Sequence, residues 1–252
     1  MKNMLNKVPA VTVIFWLIKT LATTVGETAA DFLNMTLKLG LLVTSGLMAL
    51  LLVVALFVQM RTRRYVPAIY WLVVVLISVV GTLISDNLVD NLHVSLVVSS
   101  AIFAVALAIV FATWYAIERT LSVHTIKTTR REAFYWAAIL FTFSLGTSAG
   151  DLIGEKLGLG YAWSVVLFFA LIASIYAAWR FLKINAVLAF WAAYILTRPL
   201  GASTGDLLSQ TRHDGGLGLG STWTSVVFLA AIAVMVVFET RRQAHADAET
   251  AA

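Results

Sequence analysis

The chain has 252 residues, 60% of them hydrophobic and 12% charged, with no cysteine. Its mean hydropathy is +0.90 and its pI lies near 9.6. Soluble domains carry about 25% charged residues, so this composition excludes an ordinary soluble domain, and the lack of cysteine excludes a disulfide framework or a thiolate metal site.

Eight apolar segments follow in order, near residues 8–30, 41–60, 65–85, 94–117, 133–150, 161–179, 186–206 and 218–238. Crossing a bilayer takes about 20 residues. Backbone groups in lipid must be satisfied internally, which leaves helices or a closed barrel, and the long unalternating runs exclude the barrel. The expected fold class is all-α, a polytopic membrane protein with eight transmembrane helices. The first span follows Lys2 and Lys7 as a signal peptide would, but it carries the first copy of a repeat and is read as a span.

That repeat is FWLIKTLATTVGETAAD at 15–31, YWLVVVLISVVGTLISD at 70–86, YWAAILFTFSLGTSAGD at 135–151 and FWAAYILTRPLGASTGD at 190–206. All four fit [FY]-W-x9-G-x4-D. The tryptophans are Trp16, Trp71, Trp136 and Trp191, the glycines Gly26, Gly81, Gly146 and Gly201, and the acids Asp31, Asp86, Asp151 and Asp206. LKLG at 37–40 and LGLG at 157–160 and 217–220 precede even-numbered spans, where repeat two reads NLHVSL. These glycines suit a tight, even re-entrant, return. Each copy crosses twice, so the copies are parallel and related by an axis along the membrane normal. A ring of four hairpins, or two four-helix bundles, is expected. The halves are 1–120 and 121–240, followed by a tail at 241–252.

The charges are sorted. Thirteen of the 18 Lys and Arg residues fall on the side of the chain ends, with five acids; the opposite loops hold three basic residues and eight acids. Lys and Arg favour the cytoplasm, so both termini are expected there. The basic excess is a topology signal, and nucleic acid is not an expected partner.

This pattern resembles a bacterial inner-membrane family of four tandem two-span repeats of unknown function with a shared tryptophan, often labelled "uncharacterised membrane-anchored protein". The resemblance covers about residues 8–240. It implies the fold and an inner-membrane location, and no activity.

At about 100° per residue, the repeat Trp, Gly and Asp, together with Lys19, Glu27 and Arg198, share one face about 140° wide on the odd-numbered helices. Intramembrane charges face a bundle interior or a wet cavity, so this face should look inward. The aspartates read either as an acidic mouth that binds a cation or passes protons, with nearby Thr and Ser oxygens, or as residues that close each helix and cap the next turn. If a metal binds, these four acids are its candidate ligands. Lys19 and Arg198 read as charge compensation for the acids or as recognition of an anionic group. The glycines read as close helix contacts or as breaks that open carbonyls toward a ligand. The repeat tryptophans read as interfacial anchors, as do Trp114 and Trp179, or, from their inward angle, as packing or cation–π partners around a substrate path. Pro199 favours a local break.

The histidines (His93, His124, His213 and His245) form no helical pair that would suit zinc. There is no phosphate-binding loop and no nucleophile elbow. Gly150-Asp151 and Gly205-Asp206 resemble half of an intramembrane aspartyl protease motif, but Ser148 and Ser203 stand where its first glycine belongs. The expectation is a carrier or channel for a small polar solute, a cation foremost, with no cofactor and no catalytic residues. The alternatives are a non-transporting scaffold or sensor and, third, an aspartate-dependent intramembrane enzyme. The expected partners are the bilayer and the solute, and a homo-oligomer is compatible with the sequence.

Overall fold

The computed structural model describes residues 6–251, with side chains described for 6–244. Lys2, one of the basic residues counted above, lies outside the described residues, as do the side chains of His245, Asp247 and Glu249. Eight long helices run α1 Val13–Asp31, α2 Leu41–Arg61, α3 Pro67–Asp86, α4 Leu96–Glu118, α5 Thr129–Asp151, α6 Tyr161–Leu182, α7 Ala186–Ser209 and α8 Ser221–Ala251. All eight are long and apolar enough to cross a membrane. α8 continues through most of the residues read as a tail, to Ala251.

The helices fall into two classes. Within the spanning windows of α1, α3, α5 and α7, 56–72% of residues are buried in the protein, against 6–22% in α2, α4, α6 and α8. Sequence explains the split. The odd helices carry the Gly, Ser, Thr and charged positions, which need protein partners. The even helices are apolar on the faces they turn to lipid, where Leu50, Val53, Phe57, Ile109 and Phe169 all lie exposed on the outside of the bundle, while polar residues such as Thr44, Gln59, Ser99 and Ser164 are buried.

α1 packs on α3, α3 on α5, α5 on α7 and α7 back on α1, so the four inner helices close a ring. The outer helices do not form hairpins with their own partners. α2 packs on α3, α4 on α5, α6 on α7 and α8 on α1. Each even helix thus steps over to the odd helix of the next repeat, and α8 completes the circuit. The connection makes the step possible. In the first three repeats nine residues separate the aspartate from the next helix, beginning with a π-helical turn: Phe32–Thr36, Asn87–Asn91 or Leu152–Lys156. Gly40, Gly160 and Gly220 end their connections at φ of 77–80°, a backbone conformation that favours glycine. Repeat two has Ser95 there, in extended conformation, and its Oγ caps Val98 N–H at 3.4 Å. No re-entrant helix forms at these turns.

The odd helices stay continuous through their glycines. α7 also runs unbroken through Pro199, so the expected break is absent. Gly146 and Gly150 of α5 pack against Pro199, and a neighbouring helix of this kind lets a spanning helix tolerate the missing N–H.

Candidate functional site

Four close approaches set the interior, one per repeat and all in one register. A Cβ added to Gly26 of α1 would lie 2.6 Å from Ser78 Cβ of α3. One on Gly81 would lie 2.8 Å from Phe143 Cβ of α5, one on Gly146 2.5 Å from Arg198 Cβ of α7, and one on Gly201 2.5 Å from Thr23 Cβ of α1. Real Cβ atoms do not approach so closely. Each glycine is the socket for the residue three before the glycine of the next repeat, and the fourth contact returns to the first helix.

In three repeats the seated residue is Thr23, Ser78 or Phe143. In the fourth it is Arg198, whose side chain is fully buried and reaches every inner helix. Its guanidinium donates to Glu27 Oε2 at 3.0 Å, to Thr147 Oγ1 at 2.6 Å, to Thr23 O at 3.3 Å and to Thr82 Oγ1. Glu27, Thr82 and Thr147 each follow a repeat glycine directly, so one register position on α1, α3 and α5 forms the cradle. The fourth copy is Ala202, on Arg198's own helix. The Nε of Arg198 has no partner.

Lys19, also fully buried, sits one layer nearer the chain ends. Its ammonium donates to Tyr194 O at 2.7 Å and to Thr197 Oγ1, and lies 4.3 Å from the Tyr194 ring centre and 5.2 Å from that of Phe143. It has no carboxylate partner among the described residues. Aromatic faces attract a cation electrostatically, which offsets part of the burial cost.

Below Lys19 the [FY]-W pairs meet as a packed layer. Phe15 contacts Trp71 at 5.7 Å, Tyr70 contacts Trp136 at 5.4 Å, and Tyr135 contacts Trp191 at 6.2 Å between ring centres. The Tyr70 and Tyr135 hydroxyls pair at 2.5 Å with both side chains buried. Trp71, Trp136 and Trp191 are buried and Trp16 half-buried, so this layer is internal packing and not a set of surface anchors. Trp114 is likewise buried, against Phe134 and Trp191, whereas Trp179 is exposed on α6. The reason is that α4 packs on α5 and turns the Trp114 face inward.

The end bearing the chain termini is tied by a buried ion pair that sequence reading did not single out. Lys7 Nζ meets Glu132 Oε2 at 2.6 Å and Met60 O at 3.0 Å, and Gln59 Nε2 donates to Glu132 Oε1 at 3.1 Å. The strap preceding α1 is thereby fixed to α2 and α5. Lys7 had counted only as a topology charge, and its pairing depends on a fold that brings residues 125 apart together.

At the opposite end lie the four aspartates. Asp206 is buried and Asp31, Asp86 and Asp151 are half-buried. Neither Asp31, Asp86 nor Asp151 caps the turn that follows, and each helix continues past its acid as a π turn. The capping reading is therefore corrected for these three. Asp31 accepts from Gln210 Nε2 at 3.4 Å. The acids and Glu27 share one region, near enough for mutual electrostatic repulsion. Between them and Arg198, Ser148 Oγ pairs with Ser85 Oγ at 2.6 Å and Ser99 Oγ at 2.8 Å. Among the described residues no three acids or histidines converge closely enough to coordinate one ion. Outside the spans, Asp214 is held below the usual carboxylate range by hydrogen bonds from Thr211 and His213.

The fold and this axial stack define a multi-pass membrane protein of four tandem two-helix repeats wrapped about a polar centre. A family model described as Repeat of Unknown Function (DUF347) matches residues 14–65, 69–120, 134–185 and 189–245. The chain belongs to that family, and each matched segment is one odd helix with the even helix that follows it. Neither a curated protein nor a solved structure matches the chain.

Proposed function

We propose that this protein is a carrier of the bacterial inner membrane, both termini cytoplasmic, that moves a small cation with proton coupling. The observation behind the reading is the Glu27–Arg198 pair, buried at the centre of the ring of inner helices and touched by all four of them. An ionised group at mid-bilayer costs about 2.5–3.5 kcal/mol on insertion scales, and such groups mark ion and proton paths. The acidic mouth concentrates cations outside the pair, and the aromatic layer closes the axis inside it. A proton or cation arriving at the mouth competes with Arg198 for Glu27. Loss of that bond removes the ionic tie between α7 and α1 and leaves Arg198 on its neutral partners, Thr82, Thr147 and Thr23 O, which is the rearrangement on which the carrier reading rests. The orientation rests on the excess of Lys and Arg at the end that bears the termini.

The filled axis favours one other reading, a static membrane scaffold or sensor. Flux in proteoliposomes separates the two. Protons, alkali metals, Mg²⁺, Mn²⁺ and organic anions are screened with wild type beside Glu27→Gln and the four Asp→Asn variants. The carrier reading expects cation flux that falls at least about tenfold in Glu27→Gln. Absence of flux for every solute, or flux indifferent to all five changes, leaves the scaffold. Flux of organic anions alone moves the assignment to Lys19 and Arg198 as anion-recognising groups.

A further inference from the structure

An apolar groove of about 610 Å³ lies on the outer flank of the bundle, near the end that bears the termini. Its walls include Trp16 of α1, Phe169, Tyr176 and Trp179 of α6, and Phe190 of α7, and its lip is Ser122–His124. The aromatic walls on α6 are exposed in the monomer: Phe169 at 66%, Tyr176 at 61% and Trp179 at 42%. The groove therefore opens toward the hydrocarbon and ends at a polar rim.

The charge at that rim is one-sided. Trp179 is followed by Arg180 and, one turn on, by Lys183; the Ser122–His124 lip lies between Arg119 and Lys127. All four basic side chains are exposed and form no ion pair among the described residues. The acids at this end whose side chains are described are already engaged. Glu118 holds Arg130 and Arg131, Glu132 holds Lys7, and Glu239 accepts from Tyr65 and Trp71. Among the described residues no acid pairs with the rim.

We propose that the groove is a binding site for an anionic phospholipid. One acyl chain fills the aromatic trough, and the phosphate sits among Arg119, Lys127, Arg180 and Lys183 with His124 and Ser122 as further donors. Juxtamembrane Lys and Arg attract anionic lipid headgroups, and the trough adds apolar burial. The trough shares Trp16 and Phe190, whose ring centres are 5.7 Å apart, with the aromatic layer that closes the axis. Lipid in the groove therefore bears on that layer directly.

The test is native mass spectrometry of the full chain released from micelles containing equal amounts of phosphatidylglycerol and phosphatidylcholine. The expected result is at least about tenfold preferential retention of phosphatidylglycerol. Arg180→Gln with Lys183→Gln removes the preference without touching the core, and Ala193→Phe, which fills the trough, removes retention of both lipids. Inorganic phosphate at millimolar concentration does not displace the lipid, because the chain supplies part of the binding. Equal retention of the two lipids overturns the proposal. So does a preference that survives both sets of changes, displacement by phosphate alone, or a groove occupied by a second copy of the chain as a dimer that Ala193→Phe dissolves.

Discussion

Gly201 of α7 and Thr23 of α1 meet so closely that a Cβ on the glycine would fall 2.5 Å from Thr23 Cβ and 3.0 Å from the Thr23 carbonyl carbon. This contact joins the last inner helix to the first and so closes the ring. Because backbone as well as side chain stands in the way, Gly201→Leu cannot be relieved by a rotamer change. Overpacking of this kind costs about 1–3 kcal/mol, and the thermal midpoint in detergent should fall accordingly, with Gly26→Leu behaving alike. Gly46 of α2 has nothing within 4 Å of its Cβ site, so Gly46→Ala should leave the midpoint unchanged or raise it.

The Glu27–Arg198 pair predicts a non-additive cycle. Arg198→Met leaves a buried carboxylate without its cation, and Glu27→Leu leaves the converse; breaking a buried pair costs about 3–5 kcal/mol. The double variant removes both charges and should recover most of that loss. Unfolding of the four proteins measures the coupling, and additive losses would show that the two groups are held by other partners.

The paired hydroxyls of Tyr70 and Tyr135 make a similar prediction in neutral groups. Tyr70→Phe strands the Tyr135 hydroxyl in an apolar layer at a cost of about 1–3 kcal/mol, whereas replacing both by Phe is nearly neutral. Thermal unfolding of the single and double variants checks it.

The Lys7–Glu132 bond should govern the strap before α1. Lys7→Met removes the anchor, and amide exchange at residues 8–12 should accelerate at least about tenfold while the cores of α3 and α5 keep their protection. Exchange read by mass spectrometry decides; unchanged exchange would mean that Val8 and the backbone bond from Lys7 N–H to Ile126 O suffice.

Asp86→Asn and Asp151→Asn should not lower the thermal midpoint. Neither carboxylate caps the turn after it, and each sits among other acids, so neutralisation relieves repulsion. Residues kept for function commonly trade against stability in this way. A fall in the midpoint would return these acids to a structural role.

Much of this was legible in the residues. The [FY]-W-x9-G-x4-D register and the run of eight apolar segments announced the repeat, the number of spans and the inward face of the odd helices. The position after each glycine was less visible. Glu27, Thr82 and Thr147 differ in type, and only the central Arg198 makes them one site. Lys7 and Glu132 gave no local signal at all, since nothing in either neighbourhood names the other. The hairpin expectation failed because a short connection limits how far a helix can travel, not which neighbour it joins.

Sequence by itself determined the number of helices, their sorting into inner and outer classes and their parallel repetition, because hydropathy and helical period are local properties that lipid enforces segment by segment. Tertiary structure alone decided that the ring closes through Gly201 and Thr23, that each even helix packs on the following repeat, and that one arginine out of four equivalent positions occupies the axis. Those outcomes depend on which surfaces fit when four similar helices compete for the same centre. One long cation reaches across the centre to Glu27, Thr82 and Thr147, which Thr23, Ser78 and Phe143 at the equivalent positions do not do.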